Sequence, residues 1–193
     1  MLRKVYAKLL ERRIKVVPKH IMVVADESLF NNFDIFLRFL SWSKKFKIEE
    51  VTVCFSENTS VDVDRLKALN FNINVIYRSK ILKINGEGPT LNLILGYRGK
   101  EEIVDAVKKI ANMVLSREIE PDDVDEKLVE RFLVIKSPPD LIIKAGREVP
   151  EFLIWQSIYS ELYFVDIEWK YFRYVDFLRC LREFQKRERR YGR

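Results

Sequence analysis

Short apolar, β-branched runs recur along the chain, and stretches with helical spacing lie between most of them. Runs at residues 21–25, 51–55, 73–77, 91–95, 141–143 and 161–164 read as strands. Residues 3–14, 31–46, 61–69, 100–115, 123–131, 150–159 and 174–189 carry helical patterns. The alternation predicts an α/β fold, a mainly parallel sheet of about six strands flanked by helices, in a single domain over residues 1–193. The pattern at 100–115 is the clearest. Its Ile103, Val104, Val107, Ile110, Ala111 and Val114 form an apolar stripe at a period of 3.6. In 3–14, Val5, Leu9, Leu10 and Ile14 are expected on one face. Pro121 with Asp122 and Asp123 reads as a helix start, since acids favour the positive amino end. The stretch 79–90, with its NGEGP turn, reads as a loop.

With 193 residues, 48% of them hydrophobic, the chain can bury a substantial core. Its longest apolar runs have about five residues, against roughly 18–20 for a membrane span. The basic start lacks a secretory apolar region and a small-residue cleavage site, so a cytoplasmic location is expected, with peripheral membrane contact left open. Cys54 and Cys180 lie in apolar patterns without metal-ligand spacing and are expected as buried free thiols. The net charge of +6 permits contact with phosphates or an anionic surface. No zinc spacing, helix-turn-helix signature or aromatic RNA motif is present, and nucleic acid is not an expected partner.

In an open parallel sheet, ligands bind at the carboxyl ends of the strands. Asp26 follows the first run, in HIMVVADESLFNNF. Ser56, Glu57 and Asn58 follow the second; Tyr97, Arg98, Gly99 and Lys100 the fourth; Lys144, Gly146 and Arg147 the fifth. An acid, an amide and several cations at one edge suit a metal–diphosphate group. Asp26 reads either as a metal ligand or as an acid at a strand end. His20 reads as a packing residue at the start of its strand. Trp155, Tyr159, Leu162, Tyr163 and Phe164 form an aromatic-rich stretch that suits either a core or an interface.

Five segments together resemble the cis-prenyltransferases, the undecaprenyl and dehydrodolichyl diphosphate synthase family. They are PKHIMVVAD (18–26), CFSEN (54–58), LNLILGYRGKEEIVDAVKKIA (91–111), PDLIIKAGREVPEFLIWQSIYSELYF (139–164) and FQKRERRYGR (184–193), in the family's order. The resemblance implies condensation of isopentenyl diphosphate with an allylic diphosphate, with Mg²⁺ as cofactor. Asp26 and Glu161 are then catalytic and metal-binding, with Glu161 helping to hold the metal across the dimer. Asn58, Lys144, Gly146, Arg147, Arg190 and Gly192 are then diphosphate-binding, and the aromatic stretch at 155–164 is the dimer interface.

The chain also departs from the family pattern. Where the family has Asp-Gly-Asn-x-Arg-Trp, residues 26–31 read Asp-Glu-Ser-Leu-Phe-Asn. Glycine lets backbone amides close on phosphate oxygens and arginine pairs with them, whereas Glu27 repels them. In the second diphosphate segment Lys144 replaces a bidentate arginine with a point charge, and Pro150 and Glu151 replace a small polar pair. Residues 59–90 leave little room for the family's long tunnel helices. These departures resemble the accessory, Nogo-B-receptor-like subunits of heteromeric enzymes. That reading expects a subunit that is non-catalytic alone and completes a catalytic homologue through Arg190 and Gly192. A homodimeric enzyme and a polyisoprenoid-phosphate or membrane-surface binding module are the alternatives.

Overall fold

The computed structural model describes residues 2–25, 29, 32–55, 63–78, 80–145 and 151–187, with backbone alone for 2–4. Helix α1 (Leu2–Arg13) leads into strand β1 (His20–Ala25), followed by α2 (Phe33–Lys45), β2 (Glu50–Phe55), α3 (Val63–Lys67), β3 (Asn72–Tyr77), β4 (Lys80–Ile84) and β5 (Thr90–Leu95). Then come α4 (Gly99–Leu115), a 3₁₀ turn (Pro121–Asp123), α5 (Glu126–Phe132), β6 (Leu141–Ala145), β7 (Glu161–Val165), a second 3₁₀ turn (Trp169–Tyr171) and α6 (Tyr174–Lys186). The strands form one sheet in the order β4-β3-β5-β2-β1-β6-β7. Every pairing is parallel except β3 with β4.

The inner strands are apolar at nearly every position because both faces are covered. Ile21, Val23, Val51, Val53, Leu91, Leu93, Leu141 and Ile143 face the layer that holds α1, α2 and α6. Met22, Val24, Cys54, Ile76, Ile94 and Ile142 face the other layer, with Tyr97, Ile135, Phe152 and Leu153. In the first layer aromatic rings fill the space. Phe39 stands edge-on to Trp169 and Phe177, with centroids 6.4 and 5.5 Å away, and Trp169 lies 5.0 Å from Phe172. Phe36 and Phe39 come from α2, so that helix fills this layer beside the sheet.

All six expected strands form. The stretch 79–90 is not simply a loop: β4 pairs antiparallel with β3, from Tyr77↔Lys80 to Ile73↔Ile84, and makes a seventh strand. Its residues are exposed or half-exposed, so no alternation marked them; hydrogen bonding to β3 holds them. The helix expected at 150–159 does not form in the described part, 151–159, which is bends and turns. Leu153 there has φ of 47°, outside the helical region, and buries its side chain against the sheet. The start expected at Pro121 is a 3₁₀ turn instead. Helix α5 begins after Asp125, whose carboxylate accepts the Leu128 N–H at 2.8 Å.

The stripe expected on α4 is only partly buried. Ile110 is covered, but Val104 and Val107 remain 50% and 55% exposed, while Glu102 and Ala106 turn inward. On α1, Leu10 and Ile14 are buried, but Val5 and Leu9 face outward. Cys54 and Cys180 are free and buried, as expected, and burial pushes both thiols well above their usual range.

Phe39 touches three other rings of the core, so Phe39→Ala should cost about 3–5 kcal/mol. Urea denaturation measures this. A loss below about 1 kcal/mol would mean that the aromatic cluster is not tightly packed.

Candidate active site at the carboxyl edge of the sheet

The carboxyl ends of β1, β2, β5 and β6 face one edge, as their parallel register requires. Asp26 directly follows β1, and Asn58 lies three residues beyond β2. Asp26, Asn58, Gly146, Arg147, Arg190 and Gly192 lie outside the described residues. Of the expected site residues, Lys144 and Glu161 are described.

Lys144 sits one residue from the end of β6, in register with Val24 of β1 and Phe164 of β7. It is half-buried, and its ammonium donates to the Ala145 carbonyl at 2.9 Å. Glu161 is at the other end of the sheet. It opens β7, in register with Leu141, which pairs with Ile21 near the start of β1. Four strand positions separate that level from Ala25, about 13 Å along the strand axis. Glu161 also accepts from the Arg187 guanidinium at 2.8 Å, and Arg187 donates to the Leu162 carbonyl at 3.0 Å. The structure therefore does not bring Glu161 to the Asp26 edge of its own chain. Among the described residues no three His, Cys, Asp or Glu side chains are grouped to hold a metal ion. The described donors of one chain do not compose the expected Mg²⁺ site.

Other cations gather at the carboxyl edge. A cleft of about 490 Å³ is lined by Asn32, Asp34, Arg38, Arg65 and Lys170, with Phe33 and Ile35. The Arg65 guanidinium lies over the Phe33 ring, 3.8 Å from its centroid. Lys170 pairs with Glu168 at 2.6 Å. The neighbouring Trp169 is anchored to β1, its indole donating to the Val24 carbonyl at 3.0 Å. None of these three cations was singled out from the sequence. Helices α2 and α3 and the 3₁₀ turn after β7 bring them together from distant positions.

The start of α4 is fixed tightly at the same edge. The Gly99 N–H donates to the Glu151 carbonyl at 2.7 Å, and Lys100 pairs with the Glu151 carboxylate at 3.0 Å. A Cβ on Gly99 would meet the Glu151 carbonyl oxygen at 2.8 Å and the Ile154 nitrogen at 3.1 Å. Deeper in, the buried Glu102 carboxylate accepts the Val134 N–H at 2.7 Å and the Gln156 amide at 3.3 Å. Gln156 also donates to the Ile135 carbonyl. These bonds hold 151–159 against α4 without a helix. They leave Ile158 and Tyr159 71% and 59% exposed, and Trp155, Leu162 and Tyr163 half-buried. Trp155, Ile158 and Tyr159 line a cleft of about 390 Å³ together with Glu126, Glu130 and Lys136.

The amino edge carries a polar ladder. His20 Nε2 and the Thr52 hydroxyl are 2.8 Å apart; Asn92 donates to Thr52 at 3.0 Å and to Glu50 at 2.6 Å; Asn74 donates to Asn92 at 2.8 Å. Glu50 also accepts from Ser137, and Asp140 accepts the His20 N–H at 3.1 Å. His20 is thus a buried packing residue, as read from the sequence.

The family model described as "Putative undecaprenyl diphosphate synthase" matches residues 63–192. The chain belongs to that family, the cis-prenyltransferases. It resembles the Methanocaldococcus jannaschii protein named tritrans,polycis-undecaprenyl-diphosphate synthase (geranylgeranyl-diphosphate specific), with 51% identity over 108 residues, 53% of this chain and 39% of that protein. A Thermococcus kodakarensis protein of the same name is 38% identical over 169 residues, 77% of this chain and 64% of that protein. The chain thus matches less than two thirds of either relative. The fold matches lavandulyl diphosphate synthase from Lavandula x intermedia, solved with dimethylallyl diphosphate, at a TM-score of 0.73 and 21% identity. That match covers 92% of this chain and 99% of the other. A probable undecaprenyl diphosphate synthase from Campylobacter jejuni matches at 0.72 and 19%, covering 93% and 100%.

Two outcomes test this cis-prenyltransferase geometry. Gly99→Ala should destabilise the protein by about 1–3 kcal/mol in urea, because backbone atoms of Glu151 and Ile154, and not the Ile154 side chain alone, obstruct the new methyl. The second concerns pH. Burial holds the His20 pKa below its usual value, although Glu50, the Ser137 and Pro138 carbonyls and Asp140 act the other way. Protonation therefore favours the unfolded chain. Stability is full above about pH 6.5 and falls as the pH drops below it. Melting temperatures between about pH 7.5 and 5 should decline more steeply for the wild type than for His20→Gln. Equal slopes would refute a neutral, buried His20.

Proposed function

We propose that this chain joins isopentenyl diphosphate to an allylic diphosphate, working as a pair of chains with this fold. The observation that carries the reading is the family match over residues 63–192, which spans Lys144, Glu161, Arg190 and Gly192. The similar archaeal proteins are named as synthases, which favours a catalytic homodimer over the non-catalytic subunit expected first. Dimethylallyl diphosphate in the lavandulyl diphosphate synthase structure is consistent with an allylic diphosphate as one substrate.

In this reading Arg38, Arg65 and Lys170 supply positive charge to a diphosphate in the cleft they line at the carboxyl edge. They offset the absent Gly-Asn-x-Arg cradle at 27–30. Lys144 offers one more cation at the same edge. Pairing of chains is supported by the exposed apolar surface of Ile158, Tyr159 and Phe164 on and beside β7, which among the described strands lies at the sheet edge and pairs with β6 alone. Glu161 and the Arg190–Gly192 tail then serve the carboxyl edge of the neighbouring chain, because Glu161 is remote from that of its own.

A second reading, an accessory subunit that depends on a catalytic homologue, is favoured by the 26–31 sequence and by the short stretch 59–90, which leaves little room for tunnel helices. One experiment separates the two. The purified chain is assayed with Mg²⁺, isopentenyl diphosphate and allylic diphosphates of several lengths, alone and with a catalytic homologue. Product from the chain alone supports the enzyme; product only on mixing supports the subunit; none in either condition refutes both. For the enzyme, Asp26→Ala should lower kcat/KM about 10²–10³-fold. Arg65→Ala or Lys144→Ala should raise KM for a diphosphate substrate roughly tenfold with the fold intact.

A further inference from the structure

Residues 1–19 contain seven Lys or Arg and one Glu, an excess equal to the net +6 of the whole chain. The remaining 174 residues are electrically balanced. Most of this charge lies on or just beyond α1. The lone acid, Glu11, is held by Lys45 of α2 at 2.7 Å and accepts from the Tyr174 hydroxyl at 2.9 Å, so it faces the body of the protein. The Lys45 ammonium keeps its carboxyl below the usual range. On α6, which packs against α1, Asp176 is buried between Arg173 and Arg179, and Glu183 pairs with Lys186 at 3.0 Å. No unneutralised acid of α1 or α6 opposes the α1 cations.

The outward face of α1 is also apolar at its centre. Leu10 and Ile14 take the inner side, which leaves Val5 and Leu9, one turn apart, 53% and 50% exposed. At 100° per residue, Lys8 and Arg12 flank that pair on one side and Arg13 and Tyr6 on the other. Val16, just past the helix, is 56% exposed. An apolar centre with a cationic border on a surface helix fits the boundary between lipid headgroups and acyl chains.

We propose that this face of α1 docks the protein on an anionic lipid surface, with Val5 and Leu9 entering the headgroup boundary and Lys8, Arg12 and Arg13 pairing with lipid phosphates. Each cation near such a surface contributes about 1 kcal/mol, and the apolar pair adds the discrimination that charge alone lacks. The exposed stripe on α4 is no rival: Val104, Val107 and Leu115 are more apolar, but nothing in the structure indicates what covers them.

The test is co-sedimentation with phosphatidylcholine vesicles, with and without about 30 mol % phosphatidylglycerol, at low and high salt and without prenyl substrates. Its result is therefore independent of catalysis. Binding is expected to the anionic vesicles alone and to weaken with salt. Leu9→Asp, and separately Arg12→Glu with Arg13→Glu, should lower the partition coefficient more than about tenfold. Val107→Asp on α4 should leave it unchanged, with circular dichroism confirming that all variants are folded. Absence of binding, or binding indifferent to Leu9→Asp, overturns the proposal. Equally tight binding to duplex DNA that Leu9→Asp leaves unaltered also overturns it, by showing a general polyanion surface.

Discussion

Strands β1, β2 and β5 carry large apolar side chains on alternate faces, and neither face can be left to water. Burial of a Val, Leu or Ile side chain contributes roughly 1.5–3 kcal/mol, and the three strands hold nine of them. Two layers must therefore cover the sheet. Parallel pairing requires each connection to cross over a face, and the two directions of winding from β1 send α2 and α4 to opposite sides. The same constraint aligns the strand ends, which leads the chain after β1, β2, β5 and β6 toward one edge. The candidate site is a consequence of how the core is covered.

The two edges have different work. At the amino edge, polar groups pair among themselves: buried His20, Thr52 and Asn92, with half-buried Asn74 and Glu50, form one chain of hydrogen bonds. Such a network costs desolvation, which its mutual hydrogen bonds offset, although His20 Nδ1 is left without a hydrogen-bond partner among the described residues. Ser137 and Asp140 extend it to the connection before β6 and set where that strand begins. At the carboxyl edge Arg38, Arg65 and Lys170 of the α2–α3 cleft gather with Lys144, with Asp34 beside them and Glu168 paired with Lys170. Placement of Glu161 at the amino end of β7 explains why a second chain enters the functional reading.

The strands were legible because fully buried parallel strands are continuous apolar runs, and the long helices because of their 3.6 period. Strand β4 was not, since KILKI lies at an exposed edge and its stability comes from pairing with β3. The segment 151–159 looked helical because its apolar residues have helical spacing. Glu102 and Gln156 hold it in turns instead, through contacts spanning 54 residues of sequence. On α1 and α4 periodicity located apolar stripes correctly but could not say which member of each stripe a neighbour would cover. Arg38, Arg65 and Lys170 were illegible as a group, since nothing local distinguishes them from other surface cations.

What the amino-acid order determined by itself was the alternation of strands and helices, the position of Asp26 at a strand end, the absence of the glycine cradle beside it, and the charge excess of the first nineteen residues. These are properties of neighbours along the chain. Tertiary structure alone decided that Glu161 faces away from the Asp26 edge, that three distant cations share a cleft, and that Val5 and Leu9 face outward while Leu10 and Ile14 do not. Each depends on strand register or on which helix packs against which. Those are set by the total burial of the molecule rather than by any local preference.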